Sequence, residues 1–143
     1  MGIADWWRRL RGAHATGEVE AKSRPDPRDP ERLAVFDRLP DLLALAIEEQ
    51  QRTEGADRYV ILERLVEEHR ERGEPYVKGM PYRHLDRCSE CGQTQGAVQY
   101  EVADPREGPR VVQVSSRQLH AAREHGAGLP GDFAALLDDL AAR

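Results

Sequence analysis

The sequence predicts an α+β fold in which a small helical hairpin packs on a β-hairpin followed by a helix, with a further helix at the C-terminus. Three observations predict it. Apolar residues recur at helical spacing through residues 29–74, with Pro40, Gly55 and Gly73 as punctuation. Around residues 97–114 the period changes to two, the pattern of strands that bury one face. After Ser115 the helical period returns, twice, before the chain ends.

Taken in order, residues 1–12 (MGIADWWRRLRG) place Ile3, Trp6, Trp7 and Leu10 at i, i+3, i+4 and i+7, with Arg8, Arg9 and Arg11 off the stripe. This is an amphipathic N-terminal helix closed by Gly12. So short a helix is not stable alone in water, so its stripe must dock, on its own domain or as a partner-binding surface on another protein. A membrane surface is the weakest of the three destinations. Residues 13–28 lack apolar periodicity, carry two prolines, and read as a flexible linker.

The helical segment 29–74 opens on Asp29-Pro30-Glu31, with Asp29 expected as N-cap and Pro30 at the first helical position. Leu33 and Phe36 face inward until Pro40 interrupts the helix. A second helix restarts at Pro40-Asp41 with Leu42, Leu43, Leu45, Ala46 and Ile47 as a broad apolar face. A third, over about 56–72, sets Tyr59, Leu62, Leu65, Val66 and His69 on one stripe and stops at Gly73. His69 reads as a packed or hydrogen-bonded imidazole rather than a ligand.

In segment 75–128 the stretch YVKGMPYRHL reads as a loop. Val98, Tyr100 and Val102 then share one face of a strand, Val112 and Val114 one face of a second, and ADPREGP turns the chain between them. Ser115 with Gln118 is a capping-box pair that starts a helix, SRQLHAAREH, with Gly126 placed to end it. In segment 129–143, Phe133, Leu136, Leu137 and Leu140 form a core stripe expected to unite residues 29–143 in one domain.

Composition limits the function. Of 143 residues, 39% are hydrophobic and 33% charged, so the core is lean and the formal net charge is −5. Residues 1–72 hold 13 basic and 16 acidic side chains, residues 73–128 hold 7 and 7, and residues 129–143 hold 1 and 3. No segment has the positive excess of a protein that grips nucleic acid through its phosphates. No apolar run is long enough to span a membrane and no signal-peptide pattern is present, so a cytoplasmic, bacterial-style protein is expected. In a reducing compartment two close cysteines point to metal or redox chemistry rather than a structural disulfide.

Those two cysteines stand in Cys88-Ser89-Glu90-Cys91-Gly92, and His120 and His125 lie on the helix that follows the hairpin. Two thiolates and two neutral imidazoles are a tetrahedral donor set for zinc and leave the site formally uncharged, which suits partial burial. The tight Cys-x-x-Cys-Gly turn brings both sulfurs to one side and lets backbone N–H groups point at them. Residues five apart on a regular helix point about 140° away from each other, so His125 must use the last turn. His84 is the substitute ligand to weigh against one of the histidines. A thioredoxin-like thiol pair is a further reading, but the βαβ context of that motif is missing.

Cys88, Cys91, His120 and His125 resemble the ligands of a C2H2-type or treble-clef-like zinc finger built on knuckle, hairpin and helix. The resemblance covers residues 88–125 and implies a structural Zn²⁺. Two departures stand out: Cys91 and His120 are farther apart than in an ordinary C2H2 finger, and the basic helix face that reads DNA is missing. With four ligands present and no H-E-x-x-H, phosphate loop or Ser/His/Asp set, a non-enzymatic zinc-binding protein-interaction module of adaptor, immunity or antitoxin type is expected. The alternative is a nucleic-acid-binding regulator, using Lys78, Arg83, Arg87, Arg110, Arg117 and Arg123.

Overall fold

A computed structural model of the chain describes residues 24–108 and 110–143. Ile3, Trp6, Trp7 and Leu10 lie outside the described residues, as does most of the expected linker. The elements are α1 (Asp29–Arg38), α2 (Leu42–Arg52), α3 (Arg58–Arg72), β1 (Tyr76–Arg87), β2 (Thr94–Asp104), a 3-10 turn (Pro105–Glu107), β3 (Arg110–Ser115), α4 (Ser116–His125) and α5 (Gly131–Ala141). This is an α+β fold. Its sheet is antiparallel in the order β1-β2-β3.

The expected hairpin is β2–β3, and the finding that changes the picture is β1. The stretch read as a loop is a strand that pairs with β2 from Tyr76↔Ala103 to Arg87↔Thr94. Gly79 and Pro81 hid it. Pro81 cannot donate to a ladder and therefore sits on an edge strand, where the register shifts between Pro81 and Leu85. The outer edge of β1 is closed near its start by the chain entering α2: Val77 N–H donates to Pro40 O at 2.9 Å and Gly79 N–H to Asp41 Oδ1 at 3.1 Å. Asp41 also accepts from Leu43 and Ala44 N–H, so one carboxylate caps α2 and fixes it to the sheet.

Alternation along the strands serves two cores, one on each face. Val77, Val102, Val112 and Val114 pack with Leu33 and Phe36 of α1, Leu119 of α4, and Phe133, Leu136 and Leu137 of α5. Tyr76 and Ala103 face the other way, onto Leu42, Leu43 and Ala46 of α2 and Ile61, Leu62 and Val66 of α3. The helical hairpin is thus α2–α3. α1 leaves it to join α5 across the sheet, where Phe36 meets Phe133 edge to face at 5.4 Å.

Smaller expectations shift as well. α1 begins at Asp29 with Arg28 as N-cap, and Asp29 turns its carboxylate to Arg32 Nη1 at 3.0 Å instead of capping. Arg32, buried, also reaches Asp138 of α5 through Nε at 2.8 Å and Nη2 at 2.7 Å. Tyr59 is exposed, and Ile61 takes its place in the core. His69 is packed as expected, its Nδ1 2.9 Å from Leu65 O and its ring against Tyr76.

Candidate metal centre

The Cys-x-x-Cys stretch is the turn that joins β1 to β2. Cys88 N–H donates to Gln93 O at 2.9 Å and Gly92 N–H to Cys88 O at 2.8 Å, which closes a tight knuckle. Gly92 has φ +73°, a left-handed conformation that an L side chain adopts only with strain. The N–H groups of Cys91 and Glu90 point at the Cys88 sulfur and lower its pKa from 9.0 to about 6. A thiol so held gives the thiolate a metal takes.

The other two donors come from α4, and the sequence positions that helix at both ends. Ser115 and Gln118 form the complete capping box, with Gln118 N–H to Ser115 Oγ at 3.1 Å and Ser115 N–H to Gln118 Oε1 at 2.9 Å. Ser116 Oγ accepts from Val98 N–H at 2.9 Å, which ties the helix start to β2. Leu119 anchors the inner face in the first core. Near the far end Arg123 holds Asp37 of α1 at 2.6 and 3.1 Å. His125 is the last helical residue, and Gly126, φ +65°, turns the chain away. Its place at that end answers the five-residue spacing.

The donors meet crosswise. Cys88 Sγ lies 3.3 Å from His125 Nε2 and Cys91 Sγ 3.4 Å from His120 Nε2, and one ligand atom from each of the four residues falls within 4.8 Å of all the others. A tetrahedral zinc with Zn–S about 2.3 Å and Zn–N about 2.05 Å would set its sulfur and nitrogen ligands about 3.6 Å apart. The observed pairs are within ~0.3 Å of that edge. The residues therefore fit a metal ion. The two imidazoles stand edge to face, centroids 5.1 Å apart.

His84 is elsewhere: it is mostly exposed, 3.6 Å from Asp86 and beside Tyr82, and does not belong to the four-residue cluster. One neighbour escaped the sequence reading. Glu90 Oε2 lies 3.3 Å from His125 Nδ1, the ring nitrogen that faces away from the sulfurs. Its signal in the sequence was only its place between the two cysteines.

Three of the six cations that could serve a nucleic-acid face are held in ion pairs. Lys78 pairs with Glu101 at 2.9 Å, Arg110 with Asp139, and Arg123 with Asp37. Among the described residues no helix is long and apolar enough to cross a membrane. Comparison with protein-family models, with curated proteins and with solved structures returns no match for this chain.

Proposed function

We propose that this chain is a non-enzymatic zinc-binding protein in which a structural Zn²⁺, held by Cys88, Cys91, His120 and His125, fixes a protein-interaction surface. The observation that carries this reading is the meeting of four soft and borderline donors between a hairpin tip and a helix end. Four protein ligands fill a tetrahedron and leave no open position for a reacting water, which favours a structural over a catalytic ion.

The surroundings support the same reading. Residues 81–96 contain no buried side chain, so this arm has no core of its own. Such a hairpin is marginal in water unless something else holds it. On it Tyr82 and Leu85 are 54% and 70% exposed, apolar area free for a partner. With a net charge of −5 and three of the six candidate cations in ion pairs, a protein partner of adaptor, immunity or antitoxin type is favoured over nucleic acid. The stripe Ile3, Trp6, Trp7 and Leu10 is proposed as a second contact.

The test is binding of a purified, identified partner by the zinc-loaded chain. Binding should be lost on chelation, and weakened both by Tyr82→Ser with Leu85→Ser and by deletion of residues 1–12. Salt-dependent binding of RNA or DNA by the zinc-loaded chain would replace this reading with the nucleic-acid one. Disulfide reductase activity in metal-free protein would replace it with the thiol one.

A further inference from the structure

The two histidines of the centre are not equivalent. Among the described residues no carboxylate pairs with His120. His125 Nδ1 faces Glu90 Oε2 at 3.3 Å while its Nε2 faces Cys88 Sγ at 3.3 Å. An imidazole that binds a metal through Nε2 must carry its proton on Nδ1, and a carboxylate at Nδ1 accepts that proton and fixes both tautomer and ring direction.

We propose that Glu90 is the positioning residue of the metal centre: its carboxylate holds the His125 ring with Nε2 presented to the ion, and so raises metal affinity. This rests on the zinc reading above. Glu90 serves the site twice over, because its backbone N–H points at the Cys88 sulfur while its side chain reaches His125. The knuckle that seats Cys88 therefore also sets the starting point of the carboxylate. Although the Glu90 side chain is 62% exposed, a metal ion on Nε2 withdraws charge from the ring and makes the Nδ1–H a stronger donor than in free imidazole. The same exposure means that substitution at Glu90 leaves both cores untouched.

Zinc affinity measured by competition with a chromophoric chelator tests this on the full chain. Glu90→Ala should weaken affinity about 10- to 100-fold, the range for loss of an outer-shell partner of a ligating histidine. Glu90→Gln keeps an acceptor oxygen and should recover part of that loss. Long-range ¹H–¹⁵N spectra of the zinc-loaded chain should show the His125 Nδ1–H protected from exchange, lost in Glu90→Ala, with His120 unchanged. Unchanged affinity in Glu90→Ala would overturn the assignment. So would a loss of affinity with the His125 signal unmoved, because Glu90 would then act through charge alone. A wild-type chain that takes up no zinc would sink this inference together with the zinc reading, whereas tight wild-type zinc unaffected by Glu90→Ala would sink this inference only.

Discussion

Removing the metal should melt one arm and leave the domain standing. The arm from Leu85 to Gly96 is held within itself by the ladder pairs Leu85↔Gly96, Asp86↔Gln95 and Arg87↔Thr94 and the two knuckle bonds of Cys88, and to α4 by the metal cluster and by Gln95 Nε2, which donates to Ser116 O at 3.3 Å. Ordering twelve such residues costs at least about 12 kcal/mol, taking ~1 kcal/mol of backbone entropy for each. The backbone bonds return about 5 kcal/mol, at ~1 kcal/mol apiece, and hydrophobic burial adds almost nothing. The shortfall of ~7 kcal/mol lies within what structural zinc supplies, about 10–16 kcal/mol in small zinc-binding peptides. Hydrogen exchange followed by mass spectrometry, with one equivalent of zinc or with chelator, reads this directly. Amides of residues 85–96 should exchange at least ~10²-fold more slowly with zinc, equivalent to ~3 kcal/mol of local opening, and near open-chain rates without it. Peptides covering Leu42–Ala46, Val102 and Phe133–Leu137, in the two cores, should not change. Equal protection of the arm in chelator would refute the reasoning, as would simultaneous loss of protection across both cores.

Three further outcomes follow from other parts of the structure. A Cβ at Gly79 would lie 2.6 Å from Asp41 Oδ2 and 3.0 Å from Tyr100 Cε1, so Gly79→Ala should displace the cap of α2 and cost about 2–3 kcal/mol in a urea melt. The hydrogen bond from Arg32 lowers the Asp138 pKa, so that carboxylate contributes stability above the ordinary carboxylate range near pH 4 that is lost as pH falls through its lowered value. In chelated protein, Arg32→Met should flatten the decline of stability as pH falls below the ordinary carboxylate range, measured by urea melts at each pH. Finally, His125→Ala should weaken zinc affinity by at least ~100-fold while His84→Ala leaves it within about twofold, since His84 stands outside the cluster.

The helices of the described residues and the Cys/His cluster were legible because each rests on local chemistry. Asp41 before an apolar face, Gly73 and Gly126 after the last helical turn, and the Ser115–Gln118 box all announce helix ends, and all occupy those positions. The stripe Phe133, Leu136 and Leu137 is buried as its spacing required. What was not legible depended on distant partners. β1 carries Gly79, Pro81 and an exposed second half, and its strand conformation comes from pairing with β2 rather than from its own alternation. The departure of α1 from the helical hairpin was hidden as well, because Leu33 and Phe36 specify an apolar face but not which side of the sheet receives it. Glu90 had no periodicity or motif to mark it, only a position that the knuckle converts into a contact with His125.

Metal content tests the central claim most directly. Protein purified without added metal and without chelator should carry one zinc per chain by elemental analysis. Cobalt substitution should give the intense visible bands of a tetrahedral thiolate-bound ion, and Cys88→Ser should abolish stoichiometric uptake. A chain that purifies metal-free, takes up no cobalt and protects residues 85–96 regardless would contradict the account.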